Sequence, residues 1–542
     1  MVLERADIWV VVVYSVAVGL VSLAVPVAVQ ALVNTVAFAA LLQPLVVLCA
    51  LVLVCLLGAG ALRTLQARVV EVLQQRLFVR ATQDAARGLA RARIDSFDEH
   101  HGAELMNRFF DIVTVQKAVA SLLVDGLSVV LQATIALLLL AFYHPALLAF
   151  DVFLVITISF IVFGLGRSGP PTAIKESKAK YRVAAWLEEV ASSMRAFKSP
   201  GGGDLAFARA DQLAADYVHA RRKHFKVLVR QTVSSYVLQA VAVAGLLGLG
   251  GGLVMQGQLT LGQLVAAELI VTSVVAGLTK FGKYLETFYD LYASIDKLGA
   301  IDDLVGERVD GDERRAGDGP ARLCLDNVSF GFGNGREVLR DVNLEVAPGE
   351  RVAVLGGNAS GKSTLVDVIY GLRAPSTGRV VLDGLDIRTL ALGDVRKDIA
   401  VAGHPELFDG TLIENVRVGR AGVHAEDVAL ALEIAGLDDD AARLADGLAT
   451  ELGHAGRVLT ASQSARVMIA RAVLARPRLL VMDEVLDGLD DETVSRVLGH
   501  LERSVSFASV LVFTSRREIT QRFKRVVTMR DGQVAGSTEV PS

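Results

Sequence analysis

The chain has 542 residues, 52% of them hydrophobic and 21% charged, with a formal net charge of −4 and a mean hydropathy of +0.45. That length exceeds one compact domain, the hydropathy excludes an ordinary soluble protein, and the charge content excludes a chain lying wholly in lipid. Residues 1–300 carry 26 Lys+Arg and 21 Asp+Glu, a net of +5, and the remainder carries 29 and 38, a net of −9; an acidic soluble half argues against nucleic acid as a partner.

Arg5 precedes an apolar run from Ile8 that is too long for the core of a signal peptide and closes on no clean Ala-x-Ala site. It reads as a first membrane helix, and no lipidation signal is evident. Six apolar stretches have spanning length, about 20 residues for a bilayer core of about 30 Å. They are 8–33, 43–62, 122–142, 145–165, 232–254 and 261–281. Links within pairs are short, namely Asn34 to Gln43, Tyr143–His144 and Gln256 to Leu261, while the links 63–121 and 166–231 are long and polar. Lys and Arg crowd the long links, from Arg63, Arg68, Arg76 and Arg80 to Lys175, Lys178, Arg221 and Arg222, and none stands in the short ones. The excess of positive charge places the long links and both termini in the cytoplasm.

The segment from Arg63 to Arg93 is rich in Ala, Leu, Gln and Arg and has no Pro, so the membrane helices are expected to continue beyond the bilayer. Gly201-Gly202-Gly203 marks a turn. Cys49, Cys55 and Cys324 have no metal-ligand spacing and are expected as buried, inert thiols. Asp151 and Glu268 lie in apolar stretches, a few residues in from the outer ends of helices four and six. They are candidates to line a cavity and meet a basic or amphipathic substrate, or else to hydrate at the outer leaflet. Asn34, Gln132 and Gln239 are expected as helix–helix contacts.

After residue 300 the pattern changes to short strands alternating with helical segments, an α/β domain with a largely parallel sheet. Leu323 to Phe330, Val342 to Val346, Arg351 to Leu355, Val481-Met482 and Val510 to Phe513 read as strands. Gly356-Gly357-Asn358-Ala359-Ser360-Gly361-Lys362-Ser363 fits G-x-x-x-x-G-K-[ST] after an apolar strand and opens a helix that continues through Thr364. Glycines let backbone N–H groups curl around phosphate oxygens, and a helix N-terminus adds positive potential. Lys362 would reach the outer phosphates of ATP, and Ser363 would hold Mg²⁺. The apolar run Leu479 to Met482 ends in Asp483-Glu484. Asp483 would bind Mg²⁺ through water, and Glu484 would polarise the attacking water.

On these residues, 320–542 resembles the nucleotide-binding domain of ABC transporters, and the six-helix part before it resembles the exporter-type membrane domain. Further matches are Leu407-Phe408-Asp409-Gly410-Thr411 with Glu414-Asn415, Thr450-Glu451-Leu452-Gly453, and Gly257-Gln258-Leu259-Thr260-Leu261-Gly262. The resemblance implies a multidomain chain. An all-α six-helix transmembrane domain with long cytoplasmic helix extensions occupies 1–300, followed by a linker over 301–319 and an α/β P-loop NTPase domain over 320–542. It implies ATP-driven export by a homodimer, or by a heterodimer with a second half-transporter, in the bilayer of a bacterial inner membrane. An adaptor and an outer-membrane channel would be further partners if the cargo is secreted peptide or protein. ATP would lie between one half's P-loop and the other's signature. Short coupling helices are expected near Asp111 to Lys117 and Gly203 to Arg209.

The chain also departs from that family. The usual signature Leu-Ser-Gly-Gly-Gln reads Leu459-Thr460-Ala461-Ser462-Gln463, where Ala461 and Ser462 add atoms at a close backbone approach. The helix behind it is expected from Ser464. Gly403 stands where the family has Gln, with His404 beside it either as a substitute donor or as a solvated loop residue. Ser515 stands at the switch-histidine position and cannot bring positive charge to a transferring phosphate. Phe332 takes the place of the base-stacking Tyr and keeps the ring. Asp490 matches the family's terminal Asp, while Asp487 and Gly488 replace the usual small pair. These losses imply, as an alternative, a subunit that binds ATP but hydrolyses it weakly.

Overall fold

The computed structural model describes residues 5–36, 42–98, 111–302, 305–312, 317–333, 335, 337–453, 456 and 458–539. The chain divides into two compact units, Met1–Ala92 with Ser96–Val305 and Arg93–Asp95 with Gly306–Ser542.

In the first unit, helices long and apolar enough to cross a membrane cover Ala6–Asn34, Gln43–Arg91, Asp111–Ala141, Pro145–Ser192, Gly202–Met255 and Leu261–Ile295. The expected spans lie inside them, except that the third helix ends at Ala141 rather than at 142. The fifth has 54 residues, so at 1.5 Å per residue it rises about 80 Å, more than twice a bilayer core. Asp111–Lys117 forms the start of the third helix, and Gly203–Arg209 the first turns of the fifth, which follows Gly201 at φ +81°. Separate short helices stand at Ile94–Phe97 and Met194–Phe197.

Lipid solvates apolar groups as well as the interior does, so the second helix turns Val46, Val47, Leu53, Val54 and Leu57 outward. Cys49 shares that exposure rather than being buried, and Cys55 is half-buried. Protein-facing positions form one core, with Leu140, Leu147, Leu154, Ala242, Leu246, Ile270 and Val271. Polar residues bind helices to one another. Gln66 Nε2 donates to Ser15 Oγ at 2.9 Å, and Asn34 Oδ1 accepts from the N–H of Gly262 at 3.2 Å.

The fourth helix is broken where Pro170 and Pro171 remove two donors. A π-turn over Phe160–Gly164 and a turn over 165–168 precede its restart at Gly169. The fifth and sixth helices serve the loosened carbonyls. Gln231 Nε2 donates to the oxygens of Ile161 and Val162 at 3.2 and 3.4 Å, the Tyr289 hydroxyl donates to Gly166 at 3.3 Å, and Arg230 donates to Leu165. A Cβ at Gly169 would stand 2.3 Å from Cζ of Tyr289.

The second unit holds two sheets. The smaller, antiparallel one has the order β2-β1-β4-β5, with β1 Leu323–Gly331, β2 Glu337–Val346, β4 Thr377–Leu382 and β5 Leu385–Asp386. The larger has the order β10-β9-β3-β8-β7-β6. Here β3 is Arg351–Gly356, β6 Ile399–Ala402, β7 Leu479–Asp483, β8 Ser509–Thr514, β9 Arg525–Arg530 and β10 Gln533–Glu539. Its pairings are parallel except β9 with β10. The central strands are buried on both faces, as parallel strands covered by helices must be. Cys324 lies in β1, half-buried.

Gly169→Ala is expected to destabilise the detergent-purified protein by about 1–3 kcal/mol through overpacking. In a Tyr289→Ala background the same change should cost much less. A thermal-denaturation double-mutant cycle measures the difference, and additive effects would count against the contact.

Candidate nucleotide site

The strand β3 delivers Gly356 to the carboxyl edge of the larger sheet, and the chain then curls into the helix Lys362–Ile369. The curl needs left-handed backbone at Ala359 (φ +62°) and Gly361 (φ +94°). At Gly361 a side chain would also meet Leu339 at 2.9 Å, so glycine is required there. A cavity of about 420 Å³ opens at this point, lined by Phe332, Val338, Asn358 through Thr364, and Glu484. Thr460 to Gln463 are not among these lining residues.

Lys362 is buried, and its ammonium donates to the carbonyls of Gly356 and Gly357 at 2.6 and 2.7 Å. It also pairs with Glu484 Oε1 at 2.9 Å. Glu484 has left-handed backbone (φ +53°), a strained conformation for a residue with a side chain. Its N–H is held by the carbonyl of Phe513 at 3.0 Å. Asp483 is mostly buried. Burial pushes its carboxyl above the ordinary value against the Ser363 hydrogen bond, and Glu484 and Asp367 push the same way. Its Oδ1 is buried without a hydrogen-bond partner. A hydroxyl beside a carboxylate with an orphaned buried oxygen suits a hard divalent cation such as Mg²⁺.

Phe332 packs edge-on against Phe330, with centroids 5.2 Å apart, and Arg373 stands 4.9 Å from its ring. Arg373, braced by Asp367 at 3.2 Å, was not evident from the sequence, because a supporting cation forty-one positions away carries no local pattern.

The signature residues lie on their own helix, Ala461–Leu474. It starts three residues before the expected Ser464, because Thr460 and Gln463 form a capping box. Thr460 Oγ1 accepts from the Gln463 N–H at 3.2 Å, and Gln463 Oε1 accepts from the Thr460 N–H at 2.8 Å. Ala461 and Ser462 are therefore the first turn. Gly403 follows β6, where an added Cβ would lie 3.8 Å from that of Asp483. His404 is exposed. Asp490 caps the helix Asp491–Ser504, accepting from the N–H and hydroxyl of Thr493 at 2.8 and 2.7 Å, and these bonds hold its carboxyl below the ordinary value. The exporter-like stretches also meet. Asn415 is fully buried and bonds both the N–H and the carbonyl of Phe408, while Leu412 N–H reaches Thr450 and Leu452 N–H reaches Gly410.

Such an edge, with a P-loop, a strand-end Asp-Glu pair and a separate capped signature helix, defines an ATP-binding domain, here following a six-helix membrane unit. Family models described as the ABC transporter transmembrane region and the ABC transporter match residues 8–277 and 339–487. The chain belongs to the ABC transporter family, as an exporter-type half-transporter with an ATPase coupled to transport. Over 487 residues it is 28% identical to an ATP-dependent lipid A-core flippase of Chromobacterium violaceum, covering 87% of this chain and 80% of that protein. Over 353 residues it is 29% identical to a cyclolysin secretion/processing ATP-binding protein of Bordetella pertussis, covering 65% of this chain and 49% of that protein. In fold it is similar to a bacterial Atm1-family ABC exporter with ATP bound, with a TM-score of 0.88 at 21% identity, covering 99% of this chain and 96% of that one.

Cation binding at Asp483 requires loss of a proton held above the ordinary carboxylate range. Mg²⁺-dependent nucleotide binding should therefore begin to weaken at a higher pH on acidification than an ordinary carboxylate would give. Titrating Mg²⁺ at pH 8 and pH 6 checks this. Asp483→Asn should abolish the difference.

Proposed function

We propose that this chain is one half of a dimeric, ATP-driven exporter, paired with a copy of itself or with a second half-transporter. The convergence of Lys362, Ser363, Asp483 and Glu484 at one sheet edge carries this reading. The Thr460–Gln463 cap stands outside the cavity that the P-loop lines, so it is free to serve a nucleotide held by a partner. The domain boundaries we propose are 1–300, 301–319 and 320–542, with both termini on the cytoplasmic side of a bacterial inner membrane. An adaptor and an outer-membrane channel join the proposal only for a secreted peptide or protein cargo, and copurification from the native host tests for them.

In this mechanism the N–H groups from Asn358 to Thr364 and the Lys362 ammonium bind the phosphates, while Phe332 stacks on the base. Asp483 and Ser363 would hold Mg²⁺, which when bound neutralises charge on the outer phosphates. To do its part, Lys362 exchanges the carbonyls of Gly356 and Gly357 for phosphate oxygens. Glu484 is thereby released from the ammonium and can take the proton of the attacking water. Glu484→Gln should lower ATPase activity about 100-fold or more. Activity insensitive to that change, in the chain with any partner it needs, would sink the reading.

The second reading, a subunit that binds ATP but turns it over weakly, is favoured by Gly403, which brings no side chain toward Asp483, and by the commitments of Ser515 described below.

For the cargo we propose that Asp151 and Glu268 meet a basic group. Asp151 is 5% exposed on the helix face it shares with Leu147 and Leu154. Neither of its oxygens, nor Glu268 Oε2, has a hydrogen-bond partner. Unpaired carboxylates inside a membrane bundle favour a cationic visitor. Stimulation of the ATPase by amphipathic amines should need about tenfold more amine in Asp151→Asn, equivalent to one lost charged contact. Equal stimulation would count against the assignment.

A further inference from the structure

The strand order β3-β8-β7 puts the residue after β8 between the P-loop and Glu484. Leu355 pairs with Thr514, and Asp483 pairs with Phe513, so the three turns leave the sheet at nearly the same level. A side chain at position 515 therefore emerges beside the place where a terminal phosphate, held by Lys362, would stand.

Ser515 is engaged elsewhere. Its N–H and its hydroxyl both donate to Asp487 Oδ2, at 2.8 and 2.7 Å. The Thr514 hydroxyl donates to the other oxygen of the same carboxylate. Arg516 closes the arrangement from its far side. Its guanidinium donates to the carbonyls of Asp487 and Leu489, at 3.3 and 2.6 Å, and pairs with Asp491. A serine hydroxyl has one proton to give, and Asp487 has taken it. Neither the N–H nor the hydroxyl of Ser515 is left to donate to a phosphate. The carboxylate adds negative charge to the same corner, which opposes another anion.

Two departures noted in the sequence thus become one device. A small residue at 487 would leave the N–H and hydroxyl of Ser515 free to turn. A histidine at 515 would meet the Asp487 carboxylate and be held by it as a charge-assisted pair. We propose that Asp487 latches residue 515 away from the terminal phosphate, so that the end of β8 adds nothing to this half's discrimination between ATP and ADP. Asp487 is a positioning residue here, acting through Ser515. The proposal rests on the reading that the P-loop holds ATP.

The test is equilibrium binding of ADP and of a non-hydrolysable ATP analogue to the full-length protein in detergent with Mg²⁺. The wild type sets the reference ratio of the two affinities. Ser515→His alone and Asp487→Ser alone should keep that ratio within about threefold. The double variant should shift it toward the analogue by about tenfold or more, the gain of one hydrogen bond to a charged group. ADP affinity in each variant reports that the domain is folded. Should Asp487→Ser impair folding, Asp487→Asn with Ser515→His serves instead, since asparagine cannot ion-pair with imidazolium. The proposal is overturned if Ser515→His alone reaches the preference of the double variant, or if the double variant shows no gain over the wild type. Hydrolysis does not enter the measurement, so its outcome is separate from that of the Glu484→Gln test.

Discussion

Three parallel strands end side by side, and the chemistry of this protein hangs from that shared edge. Parallel pairing of β3, β8 and β7 brings together the P-loop, the segment after Thr514 and the Asp483-Glu484 pair. Two of the three turns leave the sheet through left-handed backbone, at Ala359 and Gly361 after β3 and at Glu484 after β7. A rigid sheet buried on both faces makes that constraint bearable. It also lets charges stand close together. The Lys362 ammonium lies 2.9 Å from Glu484, so the group that binds phosphate and the group that activates water begin in contact.

Much of this was legible in the amino-acid order. The P-loop is a local pattern, and local backbone geometry enforces it. The membrane helices declare themselves by length, since no other structure leaves so long an apolar run satisfied in lipid. Two acids at the end of a buried strand are often no more than the start of a loop, and it is the P-loop upstream that marks Asp483 and Glu484 as functional. The antiparallel sheet of β1, β2, β4 and β5 was not foreseen as a separate layer, because alternation marks a strand without naming its neighbour. The start of the signature helix was misjudged for a related reason. Reciprocal capping by Thr460 and Gln463 starts the helix at Ala461, itself a strong helix former. The role of Asp487 was illegible, since its hydrogen-bond partner lies 28 positions away and only the sheet order brings them together.

Membrane proteins are often described by what faces lipid, yet the polar contacts here carry more information. Gln66, Asn34, Gln231 and Tyr289 each join helices that are distant in sequence. Apolar packing against lipid-like neighbours discriminates weakly between registers, whereas a hydrogen bond has one good geometry. Asp151 and Glu268 stand apart from this network, with carboxylate oxygens that no neighbour satisfies. Gln66 and Gln231 each leave an amide oxygen unpartnered as well, yet both donate across helices, which neither carboxylate can do.

The break in the fourth helix has a mechanical consequence. A helix interrupted by two prolines would ordinarily be a free hinge. This one is not free, because side chains from the fifth and sixth helices grip the carbonyls of Ile161, Val162, Leu165 and Gly166 that the break loosens. Bending at that point would strip four hydrogen bonds at once. The three helices are therefore coupled like spliced beams. A displacement of any one of them at that point is shared by the other two.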